Sequence, residues 1–185
     1  MQTKKHEGRN DLIGEHKIGD AGQMVFAVLF FVVWITDTFI FKFSVFLNEI
    51  IPNSVRLPIA LVVLFLSAYL SISGLKIIFG EVREKPEVVR KGVFGIVRHP
   101  IYLSEILVYI GLLFVSLSLA SAIICVMAII FLYFISRYEE KVLLEHFGED
   151  YKLYMQDVPM WIPKIFNIFR KQNNNKNKNI NINLN

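Results

Sequence analysis

A basic pair stands directly before a proline at the start of a long apolar run. Arg98 and His99 precede Pro100, within the segment 92–102 of sequence GVFGIVRHPIY. Proline suits the first position of a helix, because its fixed φ fits and its missing N–H would be unpaired there anyway. A helix N-terminus offers backbone N–H groups and a favourable dipole to an anion. The segment therefore predicts an anion-binding helix start.

An acidic pair lies on the other side of that apolar run. Glu139 and Glu140 follow residues 106–136, which carry no charge. Carboxylates can accept hydrogen bonds from an ammonium group or from hydroxyls. On a helix that leaves a membrane, however, such a pair is more often a solvated face. Neither the basic nor the acidic pair identifies a site by itself.

Other common signatures of chemistry are missing from the sequence. Gly92 and Gly95 do not form a dinucleotide-binding fingerprint, because no strand precedes them and their spacing differs. The chain has neither a phosphate-binding loop nor a His-Glu-x-x-His motif, and we predict no metal site. The single cysteine, Cys125, excludes an intrachain disulfide, and its apolar neighbours predict a buried side chain.

The composition of the chain places these polar pairs in a membrane protein. The chain has 185 residues, of which 54% are hydrophobic and 19% charged, and the apolar residues come in long blocks. This pattern predicts an all-α integral membrane helical bundle. The net charge of +4 is small, and Lys and Arg cluster in loops and in the tail. That distribution indicates membrane topology, and we expect no nucleic-acid partner.

The apolar blocks predict about four transmembrane helices, because a span needs about 20 residues. The predicted spans are helix 1 at about 22–44, helix 2 at about 57–79, and a hairpin over 100–137 that turns at 116–121. Pro52 and Pro58 are expected to act as breakers in an outer loop over 48–58. Four crossings place both termini and the basic loop 80–99 in the cytosol. The two polar pairs then lie on the same cytosolic face and can meet.

The remaining segments have simpler predictions. We expect a cytosolic segment over 1–20 without a signal peptide, a transmembrane domain over 21–166, and a disordered Asn- and Lys-rich tail over 167–185. The last helix is expected to continue out of the membrane until Gly148 caps it. Residues 159–163 are expected to anchor at the membrane interface. Asp37, inside helix 1, is either a functional residue or a group near the outer interface.

The ordered combination of these motifs resembles the isoprenylcysteine carboxyl methyltransferase family. The matching pieces are GVFxxVRHPIYL, a hydrophobic hairpin, EExxLLxxFGxxYxxY and a VPxWIP ending, over about residues 57–165. That family belongs with the phospholipid methyltransferases in a wider group of integral membrane enzymes that use S-adenosylmethionine. The resemblance therefore implies a membrane methyltransferase with S-adenosylmethionine in a cytosolic pocket.

The resemblance also implies which residues bind. The residues at the family's cofactor-binding positions are Glu87, Val88, Val89, Phe94, His99, Pro100, Ile101, Tyr102, Glu139 and Glu140. Arg98 and Arg137 are the candidates for binding the substrate, although Arg137 lies closer to the acidic pair than the family's arginine does. Methyl transfer needs little acid–base help, so His99 is assigned to binding and no catalytic acid or base is expected.

The expected methyl acceptor is the carboxylate of an isoprenylcysteine or another small lipophilic or lipidated substrate, taken up among membrane lipids. A phospholipid amine and a small thiol are the alternatives within the same chemistry. A sterol-reductase-like protein and a non-catalytic membrane protein are alternatives of a different class. The expected location is the cytoplasmic membrane of a prokaryote or the endoplasmic reticulum of a eukaryote.

Overall fold

The computed structural model describes residues 17–80 and 86–163. Most of the predicted cytosolic segment 1–20 and all of the predicted tail 167–185 lie outside the described residues. Within them the secondary structure is helical: α1 Lys17–Ile35, a π-helical turn Thr36–Phe41, α2 Leu47–Ile50, α3 Asn53–Phe79, a 3-10 turn Gly92–Gly95, α4 Pro100–Ser116, α5 Leu119–Phe147 and α6 Glu149–Asp157. The prediction of an all-α chain is confirmed.

Three of the described helices are long and apolar enough to cross a membrane. They are Gly19–Phe41, Asn53–Phe79 and Leu119–Phe147. The apolar helix Pro100–Ser116 is shorter, and its 17 residues span about 25 Å at 1.5 Å per residue. Together they form the helical membrane bundle that the sequence predicts. The hairpin between α4 and α5 turns at Leu117 and Ser118, inside the predicted turn.

The sequence suggested that Pro58 is a breaker in a loop, but Pro58 lies inside α3. The helix begins at Asn53, about one turn earlier than predicted. The buried Arg56 holds this first part of the helix, because its guanidinium donates to Ile51 O at 2.8 Å and to Val115 O at 2.7 Å. The backbone around Pro58 is thus fixed by neighbouring contacts, which is how membrane helices tolerate proline.

The helices pack in the order α3, α4, α5, α1. Small residues allow close contacts between them, as is common in membranes. A Cβ on Gly111 of α4 would lie 2.6 Å from Leu64 of α3, and one on Gly22 of α1 would lie 2.1 Å from the ring of Phe131 on α5. Ser67 of α3 donates to the carbonyl of Ser104 at 2.7 Å. α1 packs on α5 and also contacts α4, where Trp34 Nε1 donates to Leu112 O at 3.0 Å, whereas α3 packs on α4.

The two ends of the bundle have different polar structures. At one end the buried Asp37 accepts hydrogen bonds from Ser44 N at 3.0 Å, Ser44 Oγ at 2.5 Å and Ser118 Oγ at 2.5 Å. Ser118 also caps α5 through the N–H of Ser121 at 3.1 Å. These contacts tie α1 to the α4–α5 turn and give Asp37 a structural role. The Arg-His and Glu-Glu pairs lie at the opposite end.

Candidate functional site

The start of α4 and the C-terminal half of α5 bring the two polar pairs together. Arg98 Nε lies 2.7 Å from Glu140 Oε1, and His99 Nε2 lies 3.2 Å from the same oxygen. Pro100 occupies the first turn of α4, where its missing N–H is not needed. The two polar pairs therefore lie at the same end of the bundle, where the sequence predicted that they could meet.

Arg98 is held by α6 and by the segment after it. Its Nη1 donates to Met155 O at 3.1 Å and also to Val158 O. Its side chain is 8% exposed. With Glu140 as a third partner, both Nε and Nη1 of the guanidinium donate to protein groups. Arg98 therefore acts within the wall of the site, and its charge is already paired with a protein carboxylate.

The backbone N–H groups before α4 are also used by the protein. Arg98 N donates to Pro159 O at 2.9 Å, and His99 N donates to Met160 O at 3.3 Å. The segment 159–163, expected from the sequence to be an interfacial anchor, thus packs along the start of α4. These two N–H groups are not available to the anion that the sequence suggested.

Glu139 points in a different direction from Glu140. The Tyr102 hydroxyl donates to Glu139 Oε1, and His99 Nδ1 lies 3.6 Å from Glu139 Oε2. The rings of His99 and Tyr102 are parallel, with centroids 5.7 Å apart. The side chain of Glu139 is 15% exposed, whereas that of Glu140 is 2% exposed. Glu139 therefore faces the open space and Glu140 faces the protein.

That open space is a cavity of about 310 Å³ between α1, α3, α4 and α5. Its wall consists of Asp20, Gln23, Leu75, Ile78, Phe79, Phe94, Arg98, His99, Pro100, Ile101, Tyr102, Glu139 and Leu143. Six of the predicted binding residues and Arg98 are in this wall. The cavity combines two carboxylates, several aromatic rings and an apolar floor.

Phe94 reaches the cavity from the 3-10 turn Gly92–Gly95. Gly92 begins this turn with φ of +58°, a conformation that favours glycine. The hydroxyl of Tyr154 on α6 donates to Phe94 O at 2.7 Å and holds the turn in place. Burial raises the pKa of the Tyr154 hydroxyl, so Tyr154 stays a donor at physiological pH. α6 is thus the outer support of this part of the cavity.

Some predicted site residues lie elsewhere. Glu87 is exposed. Val88 packs in the hydrophobic cluster around Tyr151 and Tyr154. Val89 packs in a second hydrophobic cluster, around Leu70, Val93 and Phe94. Glu140 lies behind Arg98 and His99, outside the cavity wall. Arg137 is 56% exposed and approaches Glu140 Oε2 at 3.5 Å. The structure does not bring these residues into the cavity wall.

The sequence analysis did not predict two polar residues of the cavity wall or four apolar ones, which are Leu75, Ile78, Phe79 and Leu143. Asp20 and Gln23 come from α1, which precedes every motif described above. The available signal was their i, i+3 spacing, which puts two polar groups on one face at the start of an apolar span. They were overlooked because nothing in the sequence connects α1 with the polar pairs.

The fold and site define an integral membrane protein with a mixed-charge cavity at one end of a helical bundle. A profile of the phospholipid methyltransferase family matches residues 54–150, more than half of the chain. The chain therefore belongs to the phospholipid methyltransferase family and is a membrane methyltransferase. Members of this family are generally dependent on S-adenosylmethionine. The comparison with curated proteins found no match.

Proposed function

We propose that the protein transfers a methyl group from S-adenosylmethionine to a lipid-borne acceptor, and that the cavity between α1, α3, α4 and α5 binds both. The observation that carries this proposal is the position of the Glu139 carboxylate, which is fixed by Tyr102 and faces that cavity. S-adenosylmethionine carries an ammonium group and a sulfonium, and this carboxylate supplies a partner for one of these cations.

The chemistry of the cavity wall fits S-adenosylmethionine. The cofactor carries a sulfonium, an ammonium, a carboxylate and a flat adenine ring. Asp20 and Glu139 suit the cationic groups, and the rings of Phe94 and Tyr102 suit a sulfonium or a purine. A volume of about 310 Å³ lies at the small end of the range for ligand sites. The donor set supports the proposal, and the volume is within the range for the cofactor part of the site.

The two acidic residues have different roles in this proposal. Glu139 binds the ammonium group directly, because it faces the cavity. Glu140 positions the site, because it fixes Arg98 and His99 from behind at 2.7 and 3.2 Å. A buried carboxylate is stable there because it is paired with a guanidinium and hydrogen-bonded. His99 keeps the binding role that the sequence suggested.

When bound, the cofactor supplies an electrophilic methyl group on a positively charged sulfur. The protein then has to align an acceptor with that methyl group and exclude water. The apolar side chains of Leu75, Ile78 and Leu143 provide the water-excluding part of the wall. A carboxylate or thiolate acceptor attacks the methyl group without any proton transfer, whereas an ammonium headgroup must first lose a proton, which the exposed Asp20 carboxylate of the cavity wall can accept.

The charges of the cavity favour an amine as the acceptor. A carboxylate acceptor needs a cation, but Arg98 is already bonded to Glu140 and to two carbonyls, and Arg137 is outside the wall. The other carboxylate of the cavity wall, that of Asp20, instead attracts a cationic headgroup. We therefore place a phospholipid amine first. The isoprenylcysteine carboxylate stays the second candidate, because the motifs over 57–165 resemble that family.

The packing of the helices suggests how a lipid acceptor reaches the cavity. Asp20 and Gln23 on α1 and Leu75, Ile78 and Phe79 on α3 line the same cavity. Because α1 and α3 pack on the α4–α5 hairpin rather than on each other, we place the entry of a lipid tail between these two helices. The polar cofactor would enter from the cytosol.

Calorimetry with the purified protein in detergent tests the cofactor site. The wild type is expected to bind S-adenosylhomocysteine, and Glu139→Gln is expected to weaken that binding by about tenfold, the loss of one charged hydrogen bond. Glu49→Gln, an exposed residue at the other end of the bundle, is the matched control. Equal affinity in Glu139→Gln and the wild type would refute the site. Methyl transfer to an amine lipid, a prenylated cysteine and a long-chain thiol then ranks the acceptors.

A further inference from the structure

Asp20 brings to the cavity wall a carboxylate that the rest of the site does not use. It comes from α1, and the residue is exposed. Within residues 17–80 and 86–163, neither a hydrogen bond nor an ion pair joins its side chain to another residue. The Asp20 carboxylate can therefore accept hydrogen bonds, or a proton, from a molecule bound in the cavity.

The two other carboxylates of the site are held by protein groups. Glu139 accepts a hydrogen bond from the Tyr102 hydroxyl, and Glu140 forms a buried ion pair with Arg98. Protonation would remove the charge that strengthens both contacts. Asp20 is therefore the carboxylate of the site that can take up a proton at the smallest cost to the structure.

An amine acceptor must lose a proton before it can be methylated. A primary alkylamine has a pKa of about 10, like the side chain of lysine, so at neutral pH it is an ammonium without a free electron pair. The positive sulfur of the cofactor favours loss of this proton, because a like charge disfavours the charged form of the amine. The reaction therefore needs a group in the cavity that accepts the proton.

We propose that Asp20 is the catalytic base of the methyl transfer, and that the acceptor is therefore a lipid with a protonated amine headgroup. This inference rests on the proposed function and deepens it. One proton moves from the ammonium to the Asp20 carboxylate, which frees the electron pair of the nitrogen. The nitrogen then forms a bond to the methyl carbon while the C–S bond breaks, and the electron pair of that bond stays on the sulfur. Because Asp20 is exposed, its proton then passes to water.

The other titratable groups of the cavity wall are already engaged. They are Arg98, His99, Tyr102 and Glu139. Arg98 and Tyr102 are donors to the two glutamates of the site. Both ring nitrogens of His99 lie within 3.6 Å of a glutamate oxygen, so the protein occupies both. Asp20 also lies outside residues 54–150, which match the family, so α1 adds the base to a cofactor site that the other helices build.

The pH dependence of the rate tests the inference, with the full chain in detergent and phosphatidylethanolamine in mixed micelles as the acceptor. The wild type uses the ammonium form, so its rate is expected to change by less than about threefold between pH 7 and 9. Asp20→Asn can use only the free amine. Its kcat at pH 7 should be about 100-fold lower, the usual effect of losing a general base, and its rate should rise about tenfold per pH unit. Asp157→Asn, an exposed residue at the end of α6 and outside the cavity wall, is the matched control.

Added formate separates proton transfer from simple attraction of the headgroup. Asp20→Ala removes the carboxylate from an exposed part of the wall, where a small carboxylate can take its place. Formate is expected to raise the rate of Asp20→Ala at least about fivefold, whereas neutral formamide should have no effect. Asp20→Glu keeps a carboxylate and should stay within about tenfold of the wild-type kcat. The inference is overturned if formate does not act and Asp20→Glu is as slow as Asp20→Asn.

Binding provides a readout without turnover. Calorimetry with lysophosphatidylethanolamine and the S-adenosylhomocysteine complex should show about tenfold weaker acceptor binding in Asp20→Asn, the loss of one charged hydrogen bond, and no change in Asp157→Asn. A wild-type rate that itself rises tenfold per pH unit, or a loss in Asp20→Asn confined to KM, would refute the base. A wild type that binds S-adenosylhomocysteine but methylates only a prenylated cysteine carboxylate refutes this inference alone. A wild type that binds no S-adenosylhomocysteine refutes the proposed function instead.

Discussion

The Arg98 guanidinium and the Glu140 carboxylate, 42 positions apart in the chain, form a buried ion pair with Nε and Oε1 2.7 Å apart. The pair joins the start of α4 to α5, and Arg98 extends it to the carbonyls of Met155 and Val158. His99 contacts the same glutamate oxygen. The Glu140 carboxylate thus holds Arg98 and His99, the two residues that directly precede α4 and line the cavity.

Breaking this pair should destabilise the protein strongly. Arg98→Ala leaves the Glu140 carboxylate buried without its main partner, which typically costs about 3–5 kcal/mol. The expected result is a clear drop in the unfolding temperature in detergent, measured by tryptophan fluorescence. Lys141→Ala removes an exposed cation one position from Glu140, and it should change stability by less than about 0.5 kcal/mol. Equal melting of the two variants would contradict the pair's role.

Tyr154 should connect α6 to cofactor binding. Tyr154→Phe removes the hydrogen bond to Phe94 O and leaves that buried carbonyl without this donor, at a cost of about 1–3 kcal/mol. Since Phe94 lines the cavity, the affinity for S-adenosylhomocysteine should fall several-fold, as calorimetry can measure. Tyr69→Phe, whose side chain is exposed on α3, should leave both the affinity and the stability unchanged. Wild-type affinity in Tyr154→Phe would show that α6 does not support the site.

Alkaline pH should weaken the fold through the same tyrosine. Burial raises the pKa of Tyr154, and likewise that of Tyr151, above the value of about 10 for an unfolded chain. A raised folded-state pKa adds stability below pH about 10, and this stability is lost as the pH rises towards the folded-state pKa. Unfolding temperatures measured from pH 8 to 11 should therefore decline above pH 10, and less steeply in Tyr154→Phe. Identical slopes for the two proteins would contradict the assignment.

Asp37 should matter for stability and not for binding. Asp37→Ala leaves the Ser44 N–H and the Ser118 hydroxyl without their acceptor, and each buried unpaired donor costs about 1–3 kcal/mol. The unfolding temperature should drop while the affinity for S-adenosylhomocysteine stays the same, because the cavity is at the other end of the bundle. Thr36→Ala, next to Asp37 but bonded only within its own helix turn, is the control. A loss of cofactor affinity in stable Asp37→Ala protein would require a different role.

Much of the fold was predictable because a bilayer restricts what a chain can do. A span must be helical and apolar, so the long blocks identified the helices, and the basic loops predicted an even number of crossings. That prediction put Arg98 and Glu140 on one side of the membrane, and the structure brings the two side chains into contact. The start of α3 was misplaced, since Pro58 looks like a breaker in the sequence. The helix tolerates Pro58 because Arg56 fixes the surrounding backbone, and the hydrogen-bond partners of Arg56 come from a loop and from α4.

The sequence by itself determined the membrane class, the helical bundle, the shared face of the two polar pairs and the resemblance to membrane methyltransferases. Only the tertiary structure decided which side chains face the cavity. Neighbouring residues on a helix point about 100° apart, so Glu139 and Glu140 must face different surroundings. The packing of α5 against its neighbours decides which of the two glutamates faces the cavity. Helix packing also brings Asp20 and Gln23 of α1 into the cavity wall. Contacts between distant helices leave no signal in the local sequence. The sequence could therefore predict the two polar pairs of the site, but not the cavity residues that α1 contributes.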